Sequence, residues 1–189
     1  MQRAQFEELV VRAAAVAARR EMIIFGSQSV HAVTDHPPAE VLVSAECDVW
    51  LRDEPSVTER LVAELGKGSE FARTTGVYVD PLPPDLPMVP AGWEQRLTPC
   101  PVGDVTARCL EIHDLIVSKL AAGRLKDYEF IAAVLMGKLA RADEVRRRIQ
   151  TFPDPHTQAL LLARLRIATE ATDVSSTSND QYITTEKEI

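Results

Sequence analysis

No run of about 18 consecutive apolar residues occurs in the 189-residue chain, so no membrane-spanning helix is expected. The N-terminus also lacks the pattern of a secretory signal. Cysteine is scarce: Cys47, Cys100 and Cys109 are odd in number and nowhere near a CxxC spacing. They exclude a disulfide frame and a cysteine zinc site, and read as free thiols in a reducing compartment, the cytoplasm. His31, His36, His113 and His156 show no metal-ligand spacing, and no Ser, His, Asp order suggests a hydrolase. No internal repeat is visible.

What is present is ample for a core. Of all residues, 46% are hydrophobic, and the length suits one domain with a small appended lobe. The net charge of −7 argues against a protein that grips nucleic acid over its whole surface. Its distribution is uneven: residues 1–116 carry −8, residues 117–167 carry +5 and the remainder −4. A basic helical segment beside an acidic α/β part would still serve an anionic substrate.

Residues 4–20 have the spacing of an amphipathic helix burying Phe6, Leu9, Val10 and Ala13. Glu21 to Phe25 reads as a short buried strand. Gly26-Ser27 then turns into a short helix, with Gly26 allowing the tight turn and Ser27 as its N-cap. From Val41 to Leu51 the apolar residues alternate, which predicts a strand over 41–51 with Val41, Val43, Ala45, Cys47, Val49 and Leu51 in the core. Its other face carries Glu46, Asp48 and Trp50. A helix over 56–66 is expected, with a capping box between Ser56 and Glu59, then a strand over 76–80. The prolines between Pro81 and Gly92 forbid helix and central strand. Two further strands are expected over 93–99 and 106–112, joined at the Val102-Gly103-Asp104 turn, and helices over 113–123, 125–136, 141–150 and 155–170. The polar residues from 172 on are expected to be disordered.

On a strand, Glu46 and Asp48 lie roughly 7 Å apart at their Cα atoms on one face. Two carboxylates that close repel and raise each other's pKa unless a cation sits between them. A hard divalent ion such as Mg²⁺ meets that need; the plain alternative is the wet face of an edge strand. The N-terminus of the helix after Gly26-Ser27 offers free N–H groups and a hydroxyl to phosphate. Further on, Lys119-Leu-Ala-Ala-Gly-Arg124-Leu-Lys-Asp127 supplies cations that would offset phosphate charge. Positioned triphosphate, metal and positive charge over a leaving pyrophosphate are the equipment of nucleotidyl transfer.

These pieces resemble the nucleotidyltransferases of the polymerase-beta type, in the AbiEii-like and MenT-like branch found in bacterial toxin–antitoxin systems. The signature hG[GS] followed by Dh[DE]h has its counterpart in Phe25-Gly26-Ser27 and Glu46-Cys47-Asp48-Val49, and the second signature in Lys119, Arg124 and Asp127. The resemblance covers about residues 21–136. It implies an α/β (α+β) core with a mixed sheet; together with the elements read above, this gives a core over 1–112, a C-terminal helical lobe over 113–171 and a tail over 172–189. It further implies that Gly26, Ser27, Lys119 and Arg124 bind the nucleotide, that Glu46 and Asp48 hold Mg²⁺, and that Glu46, Asp48, Lys119 and Asp127 form the catalytic set. NMP would pass from an NTP to a hydroxyl, the 3′ end of a tRNA, with an antitoxin as partner. Small-molecule and protein acceptors stay open.

Two features depart from the pattern. The first carboxylate is Glu rather than Asp, and the Ser27-to-Glu46 spacing is long; Glu111 is the candidate third carboxylate. A catalytically inactive nucleotide- or protein-binding module on the same fold therefore stands as the alternative. Lys119 and Arg124 also have a plain reading as solvated helix charges, Asp114 as a helix-start residue and His113 as structural. Trp50 either stacks on a base or sits at a rim. Arg146, Arg147, Arg148, Arg164 and Arg166 either guide an RNA backbone or form a solvated helix face.

Overall fold

The computed structural model describes residues 1–52, 54–83 and 88–183, those from 171 on as backbone only. The expected α/β architecture is present: a five-stranded mixed sheet with helices on both faces. Helix α1 (Arg3–Ala17) buries Phe6, Leu9, Val10, Ala13 and Ala14 at helical spacing and stops at Ala18 in the left-handed conformation. Strand β1 (Glu21–Phe25) is the centre of the sheet. It pairs antiparallel with β2 (Glu46–Trp50) and parallel with β5 (Val105–Cys109). Strand β3 (Tyr78–Pro81) lies parallel outside β2, and β4 (Thr98–Val102) antiparallel outside β5. Pro99 and Pro101 are therefore on an edge strand, where a missing N–H is tolerated.

Alternation along β2 divides the molecule. Cys47, Val49 and Leu51 join α1 and α2 (Pro55–Leu65) in one core. The opposite face holds Trp50 and Phe25 under a second core built with α4 (Ile112–Ala122), α5 (Leu125–Met136), α6 (Ala142–Ile149) and α7 (Pro155–Ile183). Glu46 and Asp48 lie on this second face, beside those helices. Among the described residues, no helix is long and apolar enough to cross a membrane.

Several expectations are corrected. The strand over 41–51 is paired only from Glu46; Ala39–Val41 is a 3₁₀ turn and Val43 is 83% exposed. The carbonyls of this approach are taken elsewhere: Ser44 O accepts from Gln28 Nε2 and from the Met1 amine, which also binds Leu42 O. Helix α2 starts at Pro55, whose fixed φ suits a first helical position, and the Ser56–Glu59 capping box is absent. A short helix α3 (Glu70–Thr75), capped by Ser69, precedes β3 and was not foreseen. Trp93–Arg96 is a 3₁₀ turn rather than a strand. Trp93 is drawn into an edge-on aromatic cluster with Phe25 (5.1 Å) and Trp50 (5.3 Å), and Arg96 is held by Asp114. The helix expected over 155–170 is longer, α7 running as backbone to Ile183, with neither glycine nor proline after Pro155 to break it. Residues 184–189 of the expected tail, and residues 84–87 of the proline-rich stretch, lie outside the described residues.

Candidate active site

The turn after β1 sets the geometry. Gly26 has φ +64° and ψ −164°, a region open essentially to glycine alone. A Cβ there would collide with Asp48 Oδ2, so the carboxylate is seated directly against the turn. Ser29 Oγ donates to Ile24 O (3.1 Å) and closes the turn. Buried Gln28 ties it to the head of β2 through Glu46 O (3.2 Å). Ser27 is not an N-cap: Ser27–Ala32 is 3₁₀, Gly26 precedes it, and Ser27 Oγ accepts from Lys119 Nζ at 3.1 Å.

That lysine is the link to the helices. Lys119 on α4 is 7% exposed, lies 4.3 Å over the Phe130 ring, and donates to Asp127 Oδ1 at 3.2 Å. Burial lowers its pKa, and Asp127 counters part of that. Asp127 also accepts from Arg124 Nε (2.7 Å) and from the Arg124 backbone N–H (3.3 Å). Burial alone would raise the Asp127 pKa; the hydrogen bonds from Arg124 and Lys119 outweigh it and hold the group below its ordinary value. Lys119, Arg124 and Asp127 thus form one buried-to-surface cation cluster clamped by a single acid.

Glu46, Asp48, Asp80, Ser27, Lys119 and Arg124 all line one cleft of about 540 Å³, within the usual range of a ligand site. Sequence reasoning missed Asp80. It faces Asp48 across the parallel β2–β3 pair, and its signal was its place at the end of the expected strand over 76–80. Burial pushes the Asp48 pKa up to about 6, with Asp80 and then Glu46 adding repulsion. Glu46 stays below its ordinary value: burial opposes ionisation, but hydrogen bonds at Ser44 and its own backbone, and Lys126 at 3.4 Å, favour it.

Glu111 is elsewhere. It caps α4 by accepting from the His113 and Asp114 N–H groups and binds His113 Nδ1 at 2.6 Å. Asp114 is fully buried between Arg96 (2.8 Å) and Arg148 (3.0 Å). Trp50 packs on Phe25 and Trp93 and does not line the cleft. Of the five arginines considered for RNA, Arg148 is spent on Asp114, Arg147 on Glu144, and Arg164 on backbone carbonyls of α4.

Among the described residues no three His, Cys, Asp or Glu side chains are grouped to hold a metal ion. Magnesium, however, is typically held by one or two carboxylates with substrate phosphates and waters completing its shell. Asp48, crowded by Asp80 and Glu46 and, among the described residues, hydrogen-bonded to no cation, has the chemistry to accept such an ion, and the donors are all hard oxygens.

The model of a family described as nucleotidyltransferase of unknown function (DUF6036) matches residues 4–158. No curated protein and no solved structure matches the chain.

Proposed function

Since this chain belongs to that family of nucleotidyltransferases, we propose that it transfers NMP from an NTP to a hydroxyl acceptor in the cleft between β2 and α4. The observation that carries the reading is the juxtaposition, at one turn, of Asp48 against Gly26 and of Lys119 against the adjacent Ser27. Acid and cation then face a single space of nucleotide size.

In this reading Lys119 and Arg124 bind the phosphates, and Asp127 holds both cations in place. Ser27 and the N–H groups after Gly26 receive phosphate oxygens. Asp48 and Glu46 would hold Mg²⁺, which on binding supplies charge neutralisation between the phosphates; Asp80 is a third oxygen donor within reach of the same space. Either Glu46 or Asp48 would help to deprotonate the attacking hydroxyl. Lys126 on the cleft rim is free to leave Glu46 for a phosphate oxygen, since a surface pair of this kind contributes only about 0–1 kcal/mol.

The resemblance to the AbiEii-like and MenT-like toxin branch supports the 3′ end of a tRNA as acceptor and a cognate antitoxin as partner. The test is incubation with labelled NTPs, Mg²⁺ and total tRNA, comparing wild type with Asp48→Ala. Label on RNA that disappears in the variant supports the reading, as does growth arrest on expression that the same change relieves. A second reading, a nucleotide-binding module without turnover, is favoured by the pairing of Glu46 with Lys126 at 3.4 Å and by the absence, among the described residues, of three grouped metal-ligating side chains. Binding of NTP with no transfer to any acceptor would select it.

A further inference from the structure

We infer that Arg164, on α7 and beyond the stretch matched by the family model, is a positioning residue for the nucleotide phosphates, acting through the elbow between α4 and α5. The inference rests on the nucleotidyl-transfer reading and deepens it.

The last carbonyls of a helix have no partner within it, and those of α4 end beside the cleft. Arg164 Nη1 donates to two of them, Leu120 O and Ala121 O, both at 2.7 Å. A fixed cation there also meets the negative end of the helix. The chain then turns at Gly123, with φ +64°. A Cβ at that position would come within 2.7 Å of the Arg164 guanidinium, so the elbow is moulded around this side chain. The residue after the elbow is Arg124, whose backbone N–H and guanidinium both bind Asp127. Asp127 in turn holds Lys119, one turn back from the α4 terminus. Arg164 therefore sets where α4 stops and α5 starts, and with it the separation of Lys119 from Asp127. It does not line the cleft itself. Misplacement of such groups by about 1 Å costs up to a hundredfold in rate.

The experiment measures binding of a fluorescent NTP analogue with Mg²⁺, and thermal unfolding, for wild type, Arg164→Met, Arg164→Lys and Gly123→Ala. Arg164→Met and Arg124→Ala are also combined. We expect Arg164→Met to weaken nucleotide binding about tenfold, with Arg164→Lys recovering part of the loss. Gly123→Ala, which displaces an intact guanidinium, weakens it likewise. In the Arg124→Ala background the effect of Arg164→Met shrinks to within about twofold, because coupled residues are non-additive. A lowered melting temperature with unchanged nucleotide affinity overturns the inference, and so does a loss of equal size in both backgrounds. If Arg164→Met does not fold, Arg164→Lys decides by the same criterion. A wild type that binds no nucleotide removes the transferase reading and this inference together; wild-type binding indifferent to residue 164 removes only the latter.

Discussion

The carboxylate of Asp48 occupies the volume that any side chain at residue 26 would need. The glycine is thus required twice, for its φ of +64° and for the room it leaves. Gly26→Ala forces Asp48 to rotate out of the cleft and strains the turn. A residue held in a glycine-only region costs about 1–3 kcal/mol, whereas the displaced carboxylate should cost at least about a hundredfold in transfer rate. Urea unfolding and NMP-transfer assays read the two losses separately. Activity near wild type in Gly26→Ala would show that Asp48 need not sit against the turn.

Asp48→Asn should inactivate the protein and stabilise it. The native pKa is about 6 against an ordinary 3.8, so between those values the native state binds the extra proton. Stability from this group is therefore present at low pH and lost as pH rises through about 6, at a cost of roughly 2–3 kcal/mol by pH 7. Asparagine keeps the shape without the charge. Denaturant midpoints in the presence of EDTA should favour Asp48→Asn at pH 7, with the gap closing below about pH 4. An Asn variant no more stable than wild type at pH 7 contradicts the burial of a charged Asp48 beside Asp80 and Glu46.

The placement of residues fixed by local geometry was legible in the chain, and that set by long-range pairing was not. Gly26, Ser27, Glu46, Asp48, Lys119, Arg124 and Asp127 all line or brace the cleft, because a turn, a two-residue strand period and a helix elbow fix each relative to its neighbours. Asp80 was missed because its partner is set by β3 lying parallel to β2, a register that no short-range pattern encodes. Glu111 was misassigned for the complementary reason: an acid before an apolar run is as good an N-cap as a ligand, and here it caps. The over-long strand at Val41 failed where a glutamine and an amine from elsewhere claimed its carbonyls.

Asp127→Ala tests the cation clamp. It leaves Lys119, 7% exposed, without its acid, and removing one member of a buried pair costs about 3–5 kcal/mol. Adding Lys119→Met removes the stranded charge, so the double variant should be more stable than Asp127→Ala alone, while binding nucleotide no better. Equilibrium urea unfolding of the four proteins of this cycle gives the coupling directly. Additive effects would mean that the two side chains do not act as a pair.

His31 supplies a pH dependence at a distance from the cleft. His31 is 2% exposed, its ring stacked on Phe6 at 4.8 Å, with Nε2 3.3 Å from Met1 O and Nδ1 without a partner among the described residues. Burial, chiefly, lowers its pKa from 6.5 to about 4. Below pH 6.5 the unfolded chain takes up a proton that the native ring refuses, so stability falls as pH drops from about 6.5 toward 4. The full shift corresponds to about 3 kcal/mol. His31→Gln removes the titrating group and should flatten this part of the profile, at some packing cost that is the same at every pH. Asp48 has the opposite slope over part of the window, so the comparison is made in Asp48→Asn. A His31→Gln profile parallel to that of its parent between pH 4 and 7 would show that the ring is not held neutral in the fold.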